Sequence, residues 1–157
     1  MNLLLAIKTL RVVPVFFLFC VFVSALFYPG GNIHDPAQEG YSFTHNFLSD
    51  LGGYESHSSE QNFLSNFFFN MSMFVFALVG IAFLWMPQLF RENTLNWYLS
   101  CIGSFFLFIG TLFFAGVGLT PYDLYLDIHI FFALNAFRLM VPGCLCFLIV
   151  LLRSNVQ

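Results

Sequence analysis

Charge is what this sequence most lacks. Asp, Glu, Lys and Arg make up 8% of its 157 residues, against about 25% in a soluble domain. So few charges cannot cover a water-facing surface, so the solvent is largely lipid. Lys and Arg together number five, too few for a basic patch, which excludes nucleic acid as a partner. Metal motifs are missing as well: there is no C-x-x-C, no H-x-x-x-H and no H-E-x-x-H. The four cysteines (Cys20, Cys101, Cys144, Cys146) all sit in apolar runs. They read as small buried hydrophobes, which excludes a disulfide framework or a zinc ribbon. No G-x-S-x-G marks a nucleophile. No internal repeat or pair of broken helices marks a transporter, which leaves a small transporter as the third function class.

What fills the chain is apolar: 59% hydrophobic residues, with 24 Phe. The runs predict an all-α polytopic transmembrane bundle, one integral domain over residues 1–157 with four spans. The first span covers about 12–28, just after Lys8 and Arg11, and is short for a bilayer. Leu3 to Ile7 extend it if Lys8 snorkels. Val23-Ser24-Ala25 fits a small-residue cleavage site, so a cleavable signal peptide is the competing reading. Pro29-Gly30-Gly31 ends the span and opens a polar loop over 29–60 without Lys or Arg. Within it Phe43, Phe47, Leu48 and Leu51 recur at helical spacing. They predict a short amphipathic interfacial helix over about 42–51, stopped by Gly52-Gly53.

Ser58 and Gln61 form a capping-box pattern ahead of the second span, about 63–86, closed by Pro87. The third span covers about 97–119, with Gly103 and Gly110 on one face for close helix contact. Thr120-Pro121-Tyr122-Asp123 carries helix-start signals. The fourth span then covers about 128–152, with a kink expected at Pro142-Gly143.

Lys8, Arg11, Arg91 and Arg153 fall on one side of this path. The positive-inside rule therefore puts both termini in the cytoplasm, in a cell membrane (the inner membrane if the source is bacterial). The outer side then holds all four histidines and seven acids: Asp35, Glu39, Asp50, Glu55, Glu60, Asp123 and Asp127.

Several side chains could carry chemistry. Arg138 lies deep in the fourth span, where an Arg costs at least about 2.5 kcal/mol on insertion scales. It is expected to face inward. Asn62, Asn66 and Asn70 form an i, i+4 stripe on the second span, flanked by Ser65. A buried network of Arg138, Asn135, Asn66 and Asn70, reaching Asp127 or Asp50, is the expectation, either as a pocket or as glue between helices. His45, Asp50, His57 and His129 are the most plausible ligands for zinc or a similar divalent ion. On the fourth helix Asp127 and His129 are two residues apart, hence on different faces. Ser49, four residues after His45 and next to Asp50, is a weaker nucleophile candidate.

Phe47-Leu48-Ser49-Asp50-Leu51-Gly52 ahead of a helix bearing Asn and Ser resembles the signature of the prokaryotic membrane family called domain of unknown function 998. Gly116-Val117-Gly118-Leu119-Thr120-Pro121, then His129, Ala133 and Phe137, fit the same family. The eukaryotic damage-regulated autophagy modulator and Frag-like proteins are similar at these places. The resemblance covers about Phe47 to Phe137 and singles out Ser49, Asp50, Gly52, Pro121 and His129. It implies a six-helix membrane protein of unassigned activity, with lipid handling on the eukaryotic side. Only four spans are found here, so two expected helices are missing. That implies a truncated frame, a shortened variant or assembly with another chain.

The function expected from all this is a non-enzymatic integral membrane protein engaging membrane lipid or a partner membrane protein through the outer polar cluster. It could also form a homo-oligomer. The alternative is a membrane-embedded, metal-assisted lipid hydrolase.

Overall fold

A computed structural model describes residues 1–154. It is all-α, with four long helices: α1 (Leu3–Phe27), α2 (Phe63–Phe83), α3 (Thr94–Leu119) and α4 (Leu126–Arg153). All four paths are long and apolar enough to cross a membrane, α2 together with the turn that follows it. At about 1.5 Å rise per residue, even the 21 residues of α2 reach roughly the 30 Å of a hydrocarbon core. The protein is a multi-pass membrane protein.

The helices pack in chain order, α1 on α2, α2 on α3 and α3 on α4. α2 and α3 form the centre, and α1 and α4 are edge helices with one covered face each. One end of the bundle carries the long loop 28–62 and the short loop 120–125; this is the loop end. The other end carries the N-terminus, the α2–α3 connection and the C-terminal end of α4. Apolar contacts gather in two clusters. Ala6, Ala82, Leu107, Phe147 and Val150 meet near the termini. Tyr28, Leu51, Phe69, Met73 and Val117 meet at the loop end.

Close helix approach depends on small residues, as the glycine face of the third span suggests. A Cβ on Gly103 would meet the Gly143 carbonyl at 3.1 Å, and one on Gly110 would meet the Ala136 carbonyl at 3.3 Å. Buried hydroxyls are satisfied within the bundle, as lipid requires. Ser24 bonds the Cys20 carbonyl and Ser72 that of Phe69, each within its own helix, whereas Ser104 reaches across to the Phe83 carbonyl on α2.

Several boundaries differ from expectation. α1 begins at Leu3 rather than near residue 12, because the Asn2 side chain caps it by accepting from the Leu5 amide at 2.9 Å. Lys8 and Arg11 lie inside the helix on its exposed side, where long cationic stems can run along apolar surface to water. α2 stops at Phe83, and the chain continues through a 3₁₀ turn over Met86–Phe90 that accommodates Pro87. α2 also lacks the expected capping box: it starts after Asn62, and the Ser58 hydroxyl turns to Ser56 and Glu60 instead.

Thr120 does not open α4. It closes α3, its hydroxyl bonding back to the Gly116 carbonyl at 2.9 Å. Pro121 opens a separate turn in which its carbonyl accepts from Leu124 and Tyr125, so α4 starts only at Leu126. α4 then continues as helix through Pro142 to Arg153.

The predicted interfacial helix over 42–51 is replaced by a turn at Ser42–Asn46 and a 3₁₀ helix, Leu48–Gly52. Side chains take the amides that a helix would use. Asn46 Oδ1 accepts from the Ser42 amide at 3.0 Å, and Asp50 Oδ2 accepts from the Phe47 amide at 3.0 Å. Such local bonds compete with helix for the backbone.

Candidate functional site

The loop end is held together by carbonyls of the 3₁₀ segment and amides of the asparagine stripe. At i, i+4 spacing Asn62, Asn66 and Asn70 point to one side of α2, and the segment 50–53 lies along that side. Asn62 Nδ2 lies within 3.1–3.3 Å of the carbonyls of Asp50, Leu51 and Gly53. Asn66 Nδ2 donates to Gly52 (2.7 Å) and Gly53 (3.0 Å), Asn70 Nδ2 to Gly52 (3.1 Å), and Ser65 Oγ to Leu51 (3.0 Å). Gly52 must be glycine for this approach. A Cβ there would stand 2.7 Å from both Asn70 Oδ1 and Phe69 Cδ1. Asn62 Oδ1 is the one buried side-chain oxygen left unpaired among the described residues.

Above this seat lies Asp50, 2% exposed. Its Oδ2 accepts from Asn46 Nδ2 and the Phe47 amide, both at 3.0 Å, and stands 3.4 Å from His57 Nε2. A carboxylate only accepts, so this contact favours the imidazole tautomer with its proton on Nε2. Tyr122 Oη lies 3.3 Å from the same nitrogen. Asn46 links the cluster to the start of the loop, its amide also donating to the Gly31 carbonyl at 2.8 Å. Asp123 ties in the other loop: its carboxylate accepts from the Tyr54 and Glu55 amides at 3.0 and 2.9 Å. Three tyrosines ring Asp50. Burial first, and the Asp50 charge with it, push the Tyr28 phenol up to about 12; the same two causes raise Tyr41 and Tyr122.

Beneath the 3₁₀ segment is an apolar slot of about 190 Å³. Phe47, Leu48 and Ser49 roof it, Phe69 and Met73 come from α2, and Phe114 and Val117 from α3. His129, Ala133 and Phe137 of α4 close it. Phe47 and Phe137 are each 62% exposed, so the slot opens on the lipid-facing side. Ser49 and His129 supply the polar side chains of the wall. His129 Nδ1 lies 2.6 Å from the Thr120 carbonyl. A carbonyl can only accept, so Nδ1 carries a proton, and in the neutral imidazole Nε2 keeps a lone pair. No described residue bonds to Nε2.

The expected site residues therefore divide. Asn66 and Asn70 form the seat and Asp50 lies above it, while Ser49 and His129 both line the slot. The network through Arg138 does not form. Asn135 bonds the Phe131 carbonyl of its own helix. Asp127 and Arg138 are exposed on the outer side of α4, and no hydrogen bond or ion pair joins Arg138 to a described residue. It leaves a cation near mid-membrane at a cost of about 2.5–3.5 kcal/mol. Of the four zinc-ligand candidates, Asp50 and His57 are in contact. His45 is exposed and its Nδ1 meets Thr44 and Ser42, while His129 lies in the slot. Among the described residues no three His, Cys, Asp or Glu side chains gather. Ser49 and His45 do not pair, because the turn at 42–46 sends His45 to solvent. Tyr28, Asn46, Tyr122 and Asp123 enter the site without having been singled out for it. Asp123 does carry a signal, an acid after Pro in a short loop, but its partners are backbone amides and leave no trace in sequence.

No protein-family model, curated protein or solved structure matches the chain.

Proposed function

We propose that this is an integral protein of a cell membrane, both termini cytoplasmic, that binds a neutral lipid in the slot under the 3₁₀ segment. The observation that carries the reading is His129, its Nε2 without a partner among the described residues, in the wall of a cavity that is apolar but for it and Ser49 and is open to the bilayer. A pocket for a whole drug-sized ligand holds roughly 300–1,000 Å³. At about 190 Å³ this slot takes part of a lipid, a length of acyl chain with the adjoining polar group. Nε2 accepts a hydrogen bond, so the polar group it favours is a hydroxyl, as in a diacylglycerol. The loop end carries Asp35, Glu39, Asp50, Glu55, Glu60, Asp123 and Asp127 and no Lys or Arg, a field that repels anionic headgroups.

The cations Lys8, Arg11, Arg91 and Arg153 at the opposite end support the cytoplasmic placement of both termini. The resemblance to the domain of unknown function 998 family agrees with this reading, since its motifs coincide with the roof of the slot and with His129. Metal is not needed for it.

Native mass spectrometry of the protein released from nanodiscs tests the reading. Dioleoylglycerol should be retained by the wild type and lost from Ala133→Trp, which fills the slot. Phosphatidylglycerol should be retained by neither. Equal retention of dioleoylglycerol by the two proteins would sink it. Because Ser49 and His129 share one cavity, a hydrolytic reading also has an observation behind it, with His129 as base towards the Ser49 hydroxyl. Labelling of Ser49 by an alkyl fluorophosphonate would favour that reading over simple binding.

A further inference from the structure

The edge helix α4 buries His129, Ala136, Gly143, Phe147 and Val150 on one face. None of the described residues covers its opposite face. There Phe131, Leu134, Arg138, Val141, Leu145 and Leu148 follow one another at spacings of three and four, and each of the apolar five is half exposed or more. This is the a/d pattern of a helix-packing seam. A groove of about 430 Å³ continues it below Arg138, lined in part by Val141, Leu145 and Leu148. Arg138 is the thirteenth of the 28 residues of α4, so it stands near the middle of the span.

A seam of this pattern fits another helix, and its central residue says which. A guanidinium in hydrocarbon needs an anion or several acceptors. On α4 the described acid is Asp127, eleven residues away and about 16 Å along the axis. A second copy does not supply the missing charge. Copies inserted with the same orientation would lay α4 parallel to α4, which sets Arg138 near Arg138. Phospholipid phosphates lie at the interfaces, not at mid-span. We propose that the Arg138 face of α4 is a docking surface for a transmembrane helix of another polypeptide that carries an Asp or Glu at mid-depth. The carboxylate pairs with Arg138 and the seam packs around it. The single buried charge then sets partner choice and register, as one polar residue does in a coiled coil. The lipid slot lies towards the loop end and shares Phe137 with the groove, but the docking argument does not require a lipid in the slot.

The probe is a synthetic transmembrane helix of Leu and Ala with one central Asp, acceptor-labelled. It is compared with the same helix carrying a central Leu. Both are titrated against donor-labelled full-length protein in phosphatidylcholine bilayers, read by energy transfer. The Asp helix should bind at least tenfold tighter than the Leu helix. R138M should erase that difference while melting at the wild-type temperature, since Arg138 has no partner among the described residues. R138K should keep most of the difference, which holds the test open should R138M misfold. Four results would each overturn the proposal. The first is equal binding of the two helices to the wild type. The second is a preference for Asp that persists in R138M. The third is loss of the preference when phosphatidylglycerol is added to the bilayer, which would make lipid phosphate the occupant. The last is association of donor- and acceptor-labelled copies of the wild type alone but not of R138M, which would make it a second copy.

Discussion

Asn66 and Asn70 should behave as a coupled pair, and the coupling has a calculable size. Both donate to the Gly52 carbonyl, and Asn66 also donates to Gly53. Removing Asn70 with Ala costs one hydrogen bond, about 0.5–1.5 kcal/mol, and removing Asn66 costs two, about 1–3 kcal/mol. In either single variant Gly52 keeps one donor, and in Asn66→Ala the Gly53 carbonyl still has Asn62 at 3.1 Å. The double variant alone leaves the buried Gly52 carbonyl without a partner, adding a desolvation penalty of about 1–3 kcal/mol. The double-mutant cycle should thus show a non-additive term of that order, with the pair more damaging than the sum. Asn62 and Asn70 share no carbonyl and lie about 12 Å apart along α2. Their cycle should close within about 0.5 kcal/mol. Hydrogen exchange of the loop amides in micelles reads both, because Gly53 N–H bonds to the Asp50 carbonyl within the seated segment. Each 1.4 kcal/mol of opening free energy is about tenfold in exchange rate. If both cycles close equally well, the asparagine stripe does not hold the loop as described.

Other substitutions separate fit from charge. Gly52→Ala forces a Cβ to within 2.7 Å of Asn70 and Phe69 and should cost about 1–3 kcal/mol by the same exchange measurement. Gly40→Ala, with open space around it and φ of 63°, should cost no more than about 1–2 kcal/mol. Asp123→Ala frees the Tyr54 and Glu55 amides and should expose the 54–61 stretch to protease without changing the melting of the helices; unchanged cleavage would refute the tie between the loops. Tyr28, raised from 10.0 to about 12, is held neutral by the fold. Its contribution to stability is complete below pH 10 and is lost as the pH rises through about 12, the sign of a group whose folded value lies above its unfolded one. Ultraviolet titration of wild type against Tyr28→Phe checks this, and loss of a component near pH 10 rather than near 12 would contradict it.

Hydropathy carries the architecture well because lipid is a severe selector: twenty or so apolar residues in a row have few other uses. Spans two to four lay within a few residues of their helices. The first begins nine residues before Val12, at the extension through Leu3 to Ile7 that a snorkelling Lys8 allows, with Lys8 and Arg11 on the exposed side of the helix. Helical spacing puts Asp127, Phe131, Asn135 and Arg138 on one side of α4, of which Asp127, Phe131 and Arg138 are exposed and Asn135 half-buried, but periodicity does not say which way a face points. The assumption that a deep charge turns inward failed there. The asparagine stripe was visible, whereas its targets were not. They are main-chain carbonyls, the same at every position in a sequence. The amphipathic pattern over 42–51 misled for a related reason, since Asn46 and Asp50 bind nearby amides that the helix would have used.

The central claim, that the loop roofs a lipid slot bounded by His129, is tested most directly by photocrosslinking. A dioleoylglycerol analogue with a mid-chain diazirine, reconstituted with the protein and mapped by peptide mass spectrometry, should label Met73, Phe114 or Ala133, and Ala133→Trp should abolish that labelling. Labels spread evenly over the lipid-facing sides of α1 and α4, and indifferent to Ala133→Trp, would contradict it.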